Sequence, residues 1–197
     1  KADFQPDVDF EVPVLVPTVS SNWTGLRHEN LLVARVTPVT GTDKPLGMSG
    51  VTVLFDTSAS RTLGFAAQVD ALSSLIAELR KQAGSQLALR VVAFDQDVEE
   101  IFAGRAADFG NAQVQKLKER RPLGASDLER ALRYLTVSKG AAAPRVIIMS
   151  DGVATAGETE APALQKLARQ LPGIQRLDVV RVGGIHDETL LSRLVGA

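Results

Sequence analysis

Three short stretches of the sequence bring oxygen donors together at spacings that could hold a metal ion: Asp56-Thr57-Ser58-Ala59-Ser60, Gly124-Ala125-Ser126-Asp127 and Ser150-Asp151-Gly152. The carboxylates of Asp56 and Asp151 and the hydroxyls of Ser58, Ser60 and Ser126 form an all-oxygen set. Such a set suits a hard divalent cation, Mg2+ or alternatively Mn2+ or Ca2+. Nitrogen and sulfur donors are missing from it, which argues against zinc: the chain has no cysteine, and His28 and His186 read as surface or capping residues. If the hydroxyls contact the ion and the carboxylates act mainly through water, the site carries enough negative charge to hold a dication without saturating it. An open coordination position would then attract a partner's carboxylate.

Each stretch alone has a plainer explanation. Asp, Ser and Thr after a strand are ordinary turn and helix-capping residues. Ser126-x-x-Glu129 matches a capping box, and Asp151-Gly152 is a common turn pair. The case for a site rests on where the surrounding elements put all three.

From residue 50 onward, apolar β-branched runs alternate with helical patterns. Val51–Phe55, Leu87–Phe94, Arg145–Met149 and Leu177–Val182 have the near-continuous hydrophobicity of parallel strands covered on both faces. Val69, Leu72, Ile76 and Leu79 share a helical face closed by Gly84; Leu128, Ala131, Leu132 and Leu135 form a second stripe. Leu164, Leu167, Ala168 and Leu171 make a third between Pro162 and Pro172-Gly173, and Asp187 can cap a last helix bearing Leu190, Leu191 and Leu194. Asn111–Arg120 is a weaker helix, whose Lys116, Lys118 and Arg120, with Arg121, read as a solvated face. Asp95-Gln96-Asp97 is short enough for a hairpin into Val98–Phe102. The order predicts an α/β fold: a doubly wound, mostly parallel open sheet with one antiparallel edge strand and helices on both faces. Ligands of such sheets bind outside the carboxyl ends of the strands, where all three donor stretches fall.

Residues 1–48 differ. Pro6, Pro13, Pro17, Pro38 and Pro45 punctuate short apolar pieces, and this part reads as an extended arm with short strands at Phe10–Val16 and Leu31–Val36, leaving 49–197 as the domain. Asn22-Trp23-Thr24 fits a glycosylation pattern that any chain meets by accident. Trp23 and Tyr134 read as packing residues. The 197-residue chain is 45% hydrophobic and 23% charged, so it should fold. Its 22 basic and 23 acidic residues leave a formal charge of −1, which favours neither nucleic acid nor an anionic membrane as partner. No run is long and apolar enough for a membrane span, and the start on Lys1 reads as a piece of a longer chain.

Asp56-x-Ser58-x-Ser60, then Gly-Ala-Ser126-Asp-Leu, then Asp151-Gly152 resembles the metal-ion-dependent adhesion site (MIDAS) of von Willebrand factor type A domains, in the expected order of elements over roughly residues 50–195. The resemblance implies that Ser58, Ser60 and Ser126 would bind the ion directly and Asp56 and Asp151 mainly through water. The family usually has Thr where this chain has Ser126. It also implies an extracytoplasmic or cell-envelope setting. Asp9-Phe10 and Leu31–Val36 with Pro38 resemble the junction after a vault/inter-alpha-trypsin (VIT) domain, which would lie upstream. Complete family members usually continue through another strand and helix after the element matching 187–195. Either the chain was cut there, or Leu31–Val36 covers the sheet edge.

Three functions fit these readings. The first is a non-enzymatic binding module whose cation captures an acidic group of a partner protein. The second is a phosphohydrolase using Asp56 as nucleophile, but that chemistry wants a second acid at position 58, which is Ser, and a Ser nucleophile has no candidate His beside it. The third is a metal-free scaffold with a vestigial site.

Overall fold

The computed structural model describes residues 23–36, 47–137 and 143–196. The expected strand Phe10–Val16, the Asp9-Phe10 junction and Asn22 lie outside them. The chain divides into two units, Lys1–Pro45 and Leu46–Ala197.

In the first unit, β1 (Trp23–His28) and β2 (Leu31–Val36) form an antiparallel pair running from Trp23 opposite Val36 to His28 opposite Leu31. Glu29 in the connecting turn has φ 49°, the left-handed conformation that tight hairpin turns demand. Leu31–Val36 thus pairs with β1 in a two-stranded sheet separate from the five-stranded one. Closing so short a loop costs little chain entropy, which favours the local partner.

The second unit runs β3 (Gly50–Asp56), α1 (Phe65–Ala83), β4 (Ala88–Phe94), β5 (Val98–Arg105), α2 (Asn111–Arg120), α3 (Leu128–Val137), β6 (Arg145–Ser150), α4 (Ala161–Arg169), β7 (Arg176–Arg181) and α5 (Glu188–Val195). The sheet order is β5-β4-β3-β6-β7; β5 alone is antiparallel to its neighbour, as expected for the doubly wound α/β class. The hairpin turn closes through Asp95, whose N–H donates to the Asp97 carbonyl (3.0 Å) and whose Oδ1 accepts from the Asp97 N–H (2.9 Å). Between the pairs Val91–Phe102 and Val92–Glu100 the register shifts, leaving Ile101 as an extra residue of β5, a β-bulge.

Alternation along β3 sends side chains to two cores. Val51, Val53 and Phe55 pack with Val69, Leu72, Ile76 and Leu79 of α1 and Leu117 of α2. Leu54 joins Val146 and Ile148 of β6 against Leu128 and Leu132 of α3, Leu164 of α4 and Leu190 and Leu194 of α5. The chain leaves β3 through α1 toward β4 and leaves β6 through α4 toward β7, on the opposite side. The loops after β3 and β6 therefore part at the switch point of the sheet, which opens a crevice at its carboxyl edge.

Candidate metal centre

β3 ends on Asp56, which is wholly buried, and the chain passes through a single 3₁₀ turn, Ala59–Arg61, before α1. Asp56 Oδ1 accepts the Ser58 N–H at 2.9 Å, an Asx turn that redirects the backbone and places Ser58 Oγ 3.0 Å from Ser60 Oγ. Asp56 Oδ2 accepts the hydroxyls of Ser150 (2.6 Å) and Ser126 (3.3 Å). Burial raises the pKa of Asp56, the hydrogen bonds from Ser150 and Ser58 oppose that rise, and the nearby charge of Asp151 adds to it.

Ser126 is set from both sides by backbone bonds. Ala59 N–H donates to the Gly124 carbonyl (2.9 Å) and Leu123 N–H to the Thr57 carbonyl (3.1 Å), while the Ser126 carbonyl accepts from Thr155 and Ala156 N–H at 3.0 and 3.1 Å. Its own N–H donates to Thr155 Oγ1 (2.8 Å). The capping box expected of Ser126 and Glu129 does not form. Asp127 caps α3 instead, accepting the Arg130 N–H at 2.9 Å, and Glu129 binds Arg133 and the Glu158 N–H, both at 2.8 Å. The helix begins one residue later than that box requires, so the Ser126 hydroxyl turns toward Asp56.

Asp151 follows β6 and is also buried. Its Oδ1 accepts the Val153 N–H (2.9 Å), its carbonyl accepts the Asp187 N–H (2.9 Å), and its Oδ2 is paired with Arg61. Arg61 donates from Nε to Ser60 Oγ at 3.2 Å. The five residues singled out in the sequence thus stand in one network of contacts running from Ser126 through Asp56, Ser58, Ser60 and Arg61 to Asp151.

Thr57 points elsewhere. Its hydroxyl donates to Asp95 Oδ2 (2.9 Å) and accepts from Arg120 Nε (2.9 Å), while Arg120 also pairs with Asp95 (2.9 Å) and Glu99 (2.7 Å). Arg120 is therefore turned inward at the end of α2 and is not part of a solvated face: the acids of the β4–β5 turn and β5 attract it. Lys116, with Lys116 Nζ 2.9 Å from Glu99 Oε1, holds the pKa of Glu99 down.

Reading the sequence missed Ser150 and Arg61 as members of the network. Ser150 was visible as a polar residue ending an apolar strand. Arg61 is the one charged residue between Asp56 and Asp70, in a turn otherwise built of small side chains. Among the described residues no group of three or more His, Cys, Asp or Glu side chains is placed to hold a metal. The donors here are hydroxyls and two acids, a set that fits a hard oxygen-seeking cation and no soft one.

This doubly wound domain gathers its oxygen set on the loops at the carboxyl edge of the sheet. The chain belongs to the von Willebrand factor type A domain family, whose model matches residues 49–196. No curated protein matches it in sequence. Among solved structures it is similar to the manganese-loaded TRAP protein of Plasmodium vivax (20% identity, TM-score 0.60, covering 76% of this chain and 63% of that one). It is also similar to a von Willebrand factor type A protein of Catenulispora acidiphila (19%, TM-score 0.58, 83% and 38%). A third is proximal thread matrix protein 1 of the mussel byssus with a zinc-occupied MIDAS motif (19%, TM-score 0.56, 75% and 41%). At such identities the likeness is one of fold, and the chain spans less than two thirds of each of these proteins.

Proposed function

We propose that residues 49–197 form a metal-dependent protein-binding module and that Ser58, Ser60 and Ser126, with Asp56 and Asp151 behind them, hold one divalent cation that captures an acidic side chain of a partner. The observation that carries this reading is the convergence of these five side chains, from three separate loops, on the carboxyl edge of the sheet. The cation would supply Lewis acidity and an open coordination position; the chain supplies oxygens and a buried, low-dielectric floor. Solved structures of the same fold with manganese or zinc bound support the choice of a divalent ion. Asp56 is wholly buried and engaged by donors on both oxygens, which disfavours its use as a nucleophile by a phosphohydrolase.

The rim around the loops suits a protein partner. Leu63 (91% exposed), Leu123 (64%) and Ile185 (84%) stand on the loops after β3, before α3 and after β7. Exposed apolar side chains around a charged centre fit a ligand whose carboxylate is flanked by apolar residues. Residues 1–48 would be an arm joining the module to an upstream VIT domain, in an extracytoplasmic setting; the support for both is sequence resemblance. No helix among the described residues is long and apolar enough to cross a membrane.

Calorimetric titration with Mg2+, Mn2+ and Ca2+ tests the reading. The wild type should bind one equivalent of at least one ion, and Asp56→Ala and Ser58→Ala should weaken it tenfold or more while circular dichroism stays native. Silence of the wild type toward all three ions, in heat and in thermal stability, would leave a metal-free scaffold.

A further inference from the structure

Arg61 is an arginine placed where the site expects only oxygen. Its side chain is 5% exposed and every guanidinium nitrogen is engaged: Nη2 with Asp151, Nη1 with the Val182 carbonyl (2.6 Å) and Nε with Ser60 Oγ (3.2 Å). The fold makes room for it. Gly183, at φ +87°, lies so close that a Cβ there would stand 2.7 Å from Nη1. Two of the five proposed ligands, Ser60 and Asp151, are thus already bound to a cation that belongs to the chain.

We propose that Arg61 is the site's built-in counter-cation: it competes with a divalent ion for Asp151, and once the ion is bound it makes the site net cationic, selecting an anionic partner group. This rests on the metal-binding reading above. The charge count gives the direction. With Asp56 and Asp151 ionised, the site carries −1 with Arg61 and −2 without it; adding a dication gives +1 with Arg61 and zero without it. A buried cation repels a dication across a poorly screened distance and attracts a carboxylate across the same distance. Arg61 therefore trades affinity for metal against affinity for the acidic ligand. It also keeps Asp151 from standing as an unpaired buried charge in the metal-free protein.

The test compares wild type, Arg61→Met and Arg61→Lys. Mn2+ affinity is measured by calorimetry, melting temperature in EDTA and in Mg2+, and acetate binding to the Mn2+-loaded proteins by water-proton relaxation. Arg61→Met should bind Mn2+ about tenfold tighter or more, melt lower in EDTA, gain more from Mg2+, and bind acetate more weakly than wild type. Arg61→Lys keeps the charge and should stay within about threefold of wild-type Mn2+ affinity. Where the Met variant does not fold, Arg61→Gln, which retains a donor, is read by the same criteria. A wild type that binds no ion, whatever the variants do, would overturn the metal-binding reading and this proposal with it. Unchanged or weaker Mn2+ binding in a folded neutral variant, or tightening in the Lys variant equal to that in Met, would overturn it while leaving the metal site intact. Silence of every protein would overturn both readings.

Discussion

Replacing Gly152 by Ala should cost the domain about 2–5 kcal/mol, through two separable effects. Gly152 has φ +76°, where an L side chain is strained by about 1–2 kcal/mol. A Cβ there would also lie 2.6 Å from Leu191 Cδ2 and 2.7 Å from its Cγ. Leu191 is buried in α5 and cannot swing away, so overpacking adds about 1–3 kcal/mol. Gly173→Ala is the control: its φ is +74°, with nothing within 4 Å of the added carbon, so it reports the backbone strain alone. Urea denaturation followed by far-ultraviolet circular dichroism measures both. For a domain of this size each kcal/mol moves the melting temperature by about 2–4 °C, so Gly152→Ala should fall about 4–20 °C. The same residue ties the site together, because its N–H donates to Ser150 Oγ (2.9 Å), which in turn donates to Asp56. Metal binding should weaken along with stability. Equal losses from Gly152→Ala and Gly173→Ala would refute the packing argument.

Ser126→Ala should change stability in EDTA by less than about 1 kcal/mol, since Asp127 does the capping, yet abolish the stabilisation by Mg2+; Asp127→Ala should do the reverse, costing about 1 kcal/mol and sparing the response, as differential scanning fluorimetry would detect. Burial raises the pKa of Asp56, so the native state holds a proton that the unfolded chain has lost, and this residue's contribution to stability falls as pH rises from the ordinary carboxylate range through the raised value. Denaturation in EDTA across that range should show wild type losing stability relative to Asp56→Asn as pH rises; a gap independent of pH would refute the assignment. Arg120→Ala should cost about 1–3 kcal/mol in chemical denaturation, because Asp95 is left without its cation and Thr57 without a donor.

Periodicity made the strands and helices of 49–197 legible: buried parallel strands read as continuous apolar runs, and the stripe from Val69 to Leu79 reads as a helix facing a core. The three donor stretches were legible because each follows a strand or opens a helix, where topology fixes the edge it must reach. Partner choice among polar side chains was not. Ser126 could equally have capped α3, and the decision went to Asp127 because the loop is pinned by the Leu123, Thr155 and Ala156 N–H bonds. Arg120 looked solvated because its partners, Asp95 and Glu99, come from another element. Arg61 was invisible for the same reason: its acid lies 90 residues away in the chain.

The bulge at Ile101 bears on how the domain behaves in company. An edge strand of regular spacing offers its free amides and carbonyls as a template on which a second chain can add, the first step toward fibrous aggregates. In β5 the extra residue breaks that spacing, and Glu99, Glu100 and Arg105 set charges along the strand on either side of the break. A strand so interrupted recruits poorly. Removing Ile101 would restore an even ladder and turn one flank of the domain into a seed.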